Sequence, residues 1–312
     1  MDAATHTRQI WSDLPENLIA EISRVIGDVV SADSQPRGFS TGIAARVSTA
    51  DGGCAFVKAA DRRRNEETVA LHRREASILD TIPLGPVAPG LIGTAEDENW
   101  FALVIDDVEG RHPDGRPGDT ERVLDALASL PRLADGHGLP IVADDEAENM
   151  TAWTSLIDAS DADLPPWASA HCDALAELAS GATEALRGDW LLHCDTRADN
   201  LLVEADGTVR IVDWPWATIG CRWFDALAYL IDARLRAEPI DANRLVTAHP
   251  IFAGAADDAI TAVLAGLAGH FLDKARRPAP PFMPTLRAFQ RAEGEAALAW
   301  VRERVEQGHT TT

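Results

Sequence analysis

Cysteine is scarce in this chain of 312 residues: Cys54, Cys172, Cys194 and Cys221 are widely spaced, with no Cys-x-x-Cys pair among them. That spacing suggests neither a zinc ribbon nor a disulfide scaffold. Basic residues are also few, 28 Lys and Arg against 50 Asp and Glu, for a formal net charge of -22. Such a surface repels a polyanionic backbone, so no nucleic-acid partner is expected. No apolar run approaches the roughly 18 residues of a membrane span. No basic leader precedes an apolar stretch, and Thr5 to Glu21 is broken by charge. Membrane insertion and secretion are therefore disfavoured and a cytoplasmic location is expected. Internal repeats and low-complexity tracts are absent. The acidity fits a plain solvated surface and the attraction of a cationic substrate equally well.

The periodicities that are present divide the chain in two. The first thirty residues read as helix, with Leu14, Leu18, Ile22 and Val25 three and four apart. Ile43, Ala45 and Val47 alternate, Asp51-Gly52-Gly53 turns the chain, and Cys54 to Lys58 follows, predicting strand, tight hairpin, strand. Glu66 to Ile82 predicts a helix burying Val69, His72, Ala76 and Leu79, and Trp100 to Ile105 predicts a further strand. Beyond Gly110 helical spacing dominates. Thr120 is placed to cap a helix carrying Val123, Leu127 and Leu130. Other helices run through Leu175, Leu178, Ala182 and Leu186, and through most of the chain after Asp225. A small strand-rich part thus precedes a larger helical part holding one short two-strand insertion. Early hairpins argue against a doubly wound dinucleotide fold, which needs repeated strand–helix–strand units.

The insertion carries the chemistry. His193-Cys194-Asp195-Thr196-Arg197-Ala198-Asp199-Asn200 enters a short strand, Asp206-Gly207 turns it, and Val209 to Val212 ends on Asp213. Asp195 can orient a hydroxyl and take its proton, while Asn200 and Asp213 offer oxygens to a magnesium ion shared with nucleotide phosphates. Arg197 can hold the transferred phosphoryl group bidentately, or be a plain surface partner of Asp199. His193 reads as a buried brace for the loop. Upstream, Lys58 closes a strand where its ammonium can reach phosphates, and Glu75 on the next helix can fix its direction. The turn Gly38-Phe39-Ser40-Thr41-Gly42 can lay backbone N–H groups and a hydroxyl over the phosphates. It lacks the Gly-Lys-Ser/Thr ending of a P-loop and precedes a strand.

Taken in order, these motifs resemble the aminoglycoside phosphotransferase and choline-kinase-like family. His193, Asp195 and Asn200 match its His-x-Asp-x-x-x-x-Asn signature, and Ile211-Val212-Asp213-Trp214 matches its metal-binding aspartate. The resemblance runs from about residue 36 to about residue 235. It implies an α+β, bilobal, protein-kinase-like fold with a small antiparallel-sheet N-terminal lobe (1–106, with a leading helix) and a larger mainly helical C-terminal lobe (107–312). It further implies ATP or GTP and Mg2+ as cofactors, Asp195 and Arg197 as catalytic residues, and Asn200 and Asp213 as metal ligands. The nucleotide would be held by Gly38, Ser40, Thr41, Lys58 and Glu75, with Val104 and Asp106 in the segment like the family's hinge. Asp225 matches a structural aspartate that steadies the catalytic loop. Two positions depart from the pattern: Cys194 and Asp199 stand where the family commonly has glycine.

The expected acceptor is a small hydroxylated molecule, an aminoglycoside or amino sugar first. A choline-like amine, another sugar, or a non-catalytic nucleotide sensor of the same fold are the alternatives. The acidic run Asp144 to Glu148 falls where the family's substrate-shaping insertion tends to lie. Trp216 and Trp223 line either a substrate cavity or the core. Oligomeric state is not legible.

Overall fold

Alternation along two strands explains the first compact unit. In the computed structural model, which describes residues 9–35, 42–159, 163–280 and 283–308, this unit runs to His112 and takes in Asp199–Trp216. Its sheet is antiparallel with strand order β1-β2-β3-β5-β4. The strands are β1 (Val29–Ser34), β2 (Ile43–Thr49), β3 (Cys54–Asp61), β4 (Leu91–Glu96) and β5 (Trp100–Ile105). Successive side chains of a strand point to opposite faces. One face therefore presents Ala55, Val57 and Ala59 of β3 with Ala102 and Val104 of β5, and these pack with Leu18 and Ile22 of helix α1 (Glu16–Ile26). The other face presents Ala60, Phe101, Leu103 and Ile105, which pack with Val69 and Ala76 of helix α2 (Glu66–Thr81). β5 is buried along its whole length because both faces are covered.

Two expectations change here. The opening helix stops at Ile26, because Gly27 leaves it at φ 93°, and Val29 starts β1, an edge strand that the helical spacing hid. β4, which the sequence reading did not foresee, pairs with β5 from Leu91 to Glu96. The expected hairpin is present: Leu201–Val203 pairs with Val209–Ile211, turned by Gly207 at φ 90°. Arg111 joins it through paired backbone bonds to Val203.

The second unit comprises Pro113–Ala198 and Ala217–Thr312. Its long helices are α3 (Asp119–Ala128), α4 (Phe224–Leu235), α5 (Asp257–Ala275) and α6 (Leu286–Glu306). α5 and α6 approach closely at Gly294, where an added Cβ would meet Leu272 at 2.9 Å. Arg304 of α6, 1% exposed, ties the helices together through Thr261 Oγ1 at 2.9 Å and Asp257 Oδ1 at 3.0 Å. Thr120 is not the cap of α3. Gly118, left-handed at φ 85°, holds that position, so Thr120 lies buried in the first turn. The helix expected through Leu175 and Leu186 is two short ones, Cys172–Ala179 and Ala182–Ala185, interrupted at Ser180–Gly181. A strand pair also appears that periodicity did not show, Trp190–Leu192 against Thr218–Gly220. Trp223 is buried, whereas Trp216 is 43% exposed.

The architecture is thus bilobal α+β, with an antiparallel-sheet N-terminal lobe and a larger, mainly helical C-terminal lobe. Among the described residues no helix is long and apolar enough to cross a membrane.

Candidate functional site

The period-2 alternation that buries Val57 and Ala59 toward α1 sends Lys58 to the α2 side, where Glu75 lies on the buried stripe of the helix. Lys58 Nζ donates to Glu75 Oε1 and Oε2, both at 2.8 Å, and to Asp213 Oδ1 at 2.7 Å. Glu75 is fully buried and its Oε1 also accepts the Trp214 backbone N–H at 3.3 Å. Burial works against the Lys58 charge, but Asp213 and Glu75 outweigh it and hold the ammonium above its ordinary range. Burial in turn pushes Glu75 up, with Lys58 opposing. One cation thus links a strand, a helix and the end of the hairpin.

The hairpin register explains the next pair. Leu201 stands opposite Ile211, and Val212 donates to the Asn200 carbonyl at 2.9 Å, so Asn200 and Asp213 flank the open end of the hairpin. Asp213 adopts φ 70°, a left-handed conformation uncommon for a side chain other than glycine. Its carboxylate touches Lys58 with one oxygen while 43% of the side chain stays exposed. Among the described residues no group of three or more His, Cys, Asp or Glu can hold an ion alone. One amide oxygen and one carboxylate nevertheless fit magnesium, which keeps part of its shell for phosphate oxygens and water.

Of the other expected nucleotide contacts, Gly38, Ser40 and Thr41 lie outside the described residues. Val104 is wholly buried in β5 with neighbours on both sides, Val57 and Gly93. Asp106 exchanges bonds with Gly90, its N–H donating to the Gly90 carbonyl at 3.0 Å and its Oδ2 accepting the Gly90 N–H at 2.8 Å.

The residues expected to handle the proton belong to the second unit. The strand Trp190–Leu192 delivers the loop that starts at His193, and α4 holds that loop. Asp225, 1% exposed, accepts the backbone N–H groups of His193 at 2.6 Å and Cys194 at 2.9 Å. Its own carbonyl accepts Thr196 Oγ1 at 2.8 Å. Burial raises the Asp225 carboxyl to about 6, although the two N–H groups favour its charged form. The fully buried His193 accepts the Asp195 N–H at Nδ1, 3.2 Å away, which braces the loop. Arg197 sets Nε 3.3 Å from Asp195 Oδ1, and its guanidinium lies 5.3 Å from the Phe289 ring centroid. Cys194, at φ 63°, places its thiol 2.9 Å from Thr218 Oγ1.

Asp232 was not singled out from the sequence. It lies seven residues beyond Asp225 on α4, two turns on and therefore on the same face. Its Oδ2 accepts the Ala198 N–H at 3.0 Å and Arg236 Nε at 3.0 Å. The heptad spacing was a readable signal. Arg46, which donates to the Val108 carbonyl at 2.8 Å and lies 3.3 Å from Asp107, had no comparable one.

Comparison with known proteins bears on the fold and the family. No curated protein matches the chain. Solved structures share its fold at low identity. A thermostable mutant of aminoglycoside phosphotransferase APH(4)-Ia, in ternary complex with AMP-PNP and hygromycin B, is 14% identical over 95% of this chain and 100% of that one, with a TM-score of 0.55. Choline kinase LicA from Streptococcus pneumoniae is 13% identical over 91% and 98%, TM-score 0.55. Macrolide 2'-phosphotransferase MphH from Brachybacterium faecium is 15% identical over 92% and 98%, TM-score 0.55. The model of the phosphotransferase enzyme family (APH) matches residues 37–250, more than half of the chain and all of the residues from Lys58 to Asp232 described above. The chain belongs to the phosphotransferase enzyme family.

Proposed function

We propose that the protein transfers the terminal phosphoryl group of ATP or GTP, with magnesium, to a hydroxyl of a small molecule, an aminoglycoside or amino sugar being the first candidate. The observation that carries this reading is Lys58 held between Glu75 and Asp213 at 2.7–2.8 Å. An ammonium fixed in that way is set for nucleotide phosphates beside a metal-ligating carboxylate. Asn200 and Asp213 would hold the ion, which when bound neutralises charge on the phosphate oxygens. Gly38, Ser40 and Thr41 would close over the phosphates. The strand end from Val104 to Asp106 would meet the adenine or guanine edge, through the backbone after Val104, since Val104 itself is enclosed in the sheet.

Asp195 would accept the acceptor's hydroxyl proton as the acceptor oxygen bonds to phosphorus. The bond from phosphorus to the bridging oxygen breaks, and the nucleoside diphosphate leaves with that electron pair. Arg197 would counter the charge on Asp195 and on the phosphoryl group in transit. The net charge of -22 favours a cationic acceptor before contact is made. A choline-like amine is the second reading, because the exposed ring of Trp216 suits an ammonium face.

The test is magnesium-dependent nucleotide consumption across aminoglycosides, amino sugars, sugars and amino alcohols. Asp195→Asn is expected to lower kcat at least about a hundredfold with nucleotide affinity retained. Unchanged turnover in that variant would remove Asp195 as the base. Nucleotide binding without turnover on any acceptor would turn the reading to a sensor.

A further inference from the structure

We propose that Phe289, early in α6, is a positioning residue for the reaction: its ring fixes the plane of Arg197 so that Arg197 in turn fixes Asp195. This rests on Asp195 being the base. The guanidinium is planar, and its two kinds of partner occupy different directions. A carboxylate pairs with the N–H groups at its edge, whereas an aromatic ring covers its face. Arg197 makes one contact of each kind, an ion pair with Asp195 and a cation–π contact with Phe289. Its Nε lies 3.3 Å from Asp195 Oδ1, and Phe289 lies 5.3 Å from its central carbon.

The surroundings show why a contact on the face matters. The side chains of Arg197 and Asp195 are 17% and 27% exposed, yet Arg197 Nε itself is closed off from water, so what orients the arm lies within the protein. An arginine held only at its edge keeps much of its rotamer freedom and swings with its partner. A ring against the guanidinium limits that freedom and excludes water from one side. Phe289 itself is only half-buried, so filling a core is a weak account of it. Backbone bonds already hold the loop around Arg197, with Arg197 N–H on the Asp195 carbonyl at 3.0 Å and Ala198 N–H on Asp232 at 3.0 Å. Such backbone bonds do not set the direction of the arginine arm, and Phe289 constrains that from another helix.

A double-mutant cycle tests this. Phosphoryl transfer from magnesium ATP is measured with the fastest acceptor of the panel above, or with water if none turns over. Phe289→Leu, which keeps apolar volume without a π face, is expected to lower kcat about tenfold with the nucleotide KM unchanged. Phe289→Trp is expected to stay within about twofold of the parent. In an Arg197→Met background, Phe289→Leu is expected to add less than about twofold, because the residue it acts through is gone. Phe289→Leu indistinguishable from the parent overturns the proposal. So does a full tenfold loss in the Arg197→Met background, or a Trp variant as slow as the Leu variant. Failure of the base assignment is separate and is seen in Asp195→Asn alone. Absence of turnover with every acceptor and with water overturns both.

Discussion

At the scale of single residues, the site works by placing charge where water is scarce. Lys58 shows the arrangement best, since its burial is tolerated only because two carboxylates face it. Cys194 is the opposite case, a group that burial keeps inert although it adjoins the proposed base. Burial first, then the charges of Asp225, Glu146 and Asp195, push its thiol well above the ordinary value. Burial likewise pushes Cys221 up to about 12. Thiolates react and thiols do not. Alkylation of the folded protein at neutral pH is therefore expected at the exposed Cys54 first, with Cys194 and Cys221 modified only after unfolding. Peptide mass spectrometry over a time course decides it, and early labelling of Cys194 would contradict the upward push on its half-buried thiol. The thiol's position in the motif was legible in the sequence. Its left-handed backbone was not, because only the family's habit of glycine there hinted at it.

Among elements, α4 does more than its apolar spacing announces. Its two carboxylates, Asp225 and Asp232, take the backbone N–H groups of His193, Cys194 and Ala198. Asp232→Ala is expected to cost about 2 kcal/mol of stability, the range for a buried charge-assisted bond, and to lower kcat more than nucleotide affinity. Asp232→Asn is expected to recover part of both, since its amide oxygen still accepts the Ala198 N–H. Denaturant melts and kinetics of the two variants check this, and equal losses would show that the carboxylate matters only to Arg236. Legibility follows the same physical line. Strands such as Trp100–Ile105 and the hairpin on Asp206-Gly207 could be read because burial and turn chemistry are written locally. The pair Trp190–Leu192 with Thr218–Gly220 could not, because three residues carry no periodicity and the partner lies far along the chain. The edge strand Val29–Ser34 was lost for a different reason: the spacing of the preceding helix runs on past its glycine stop.

For the whole molecule, a half-buried histidine and a buried carboxylate make stability depend on pH in opposite senses. His270, with Nδ1 unpartnered among the described residues, is lowered by burial to about 4, with Lys274 and Arg277 adding to the fall. The unfolded chain takes this proton near 6.5, so the contribution is whole above that value and is lost as pH falls through about 4. Asp225, raised to about 6, contributes fully below 3.8 and loses that contribution as pH rises through about 6. His270→Leu removes the first effect. Its unfolding free energy, relative to the parent, is expected to rise by about 3 kcal/mol between pH 7 and pH 4. A difference flat in pH would show that His270 titrates normally. The boundary between the two units has a consequence of another kind, for how such an enzyme can be altered by recombination. The chain crosses it three times, after His112, after Ala198 inside the motif, and after Trp216. A crossover at either of the first two separates Lys58 and Glu75 from Asn200 and Asp213, whereas one after Trp216 keeps all four together on residues 1–216. Of the three places, the junction after Trp216 is therefore the one where exchange of an end of the gene is expected to leave those four residues as they are.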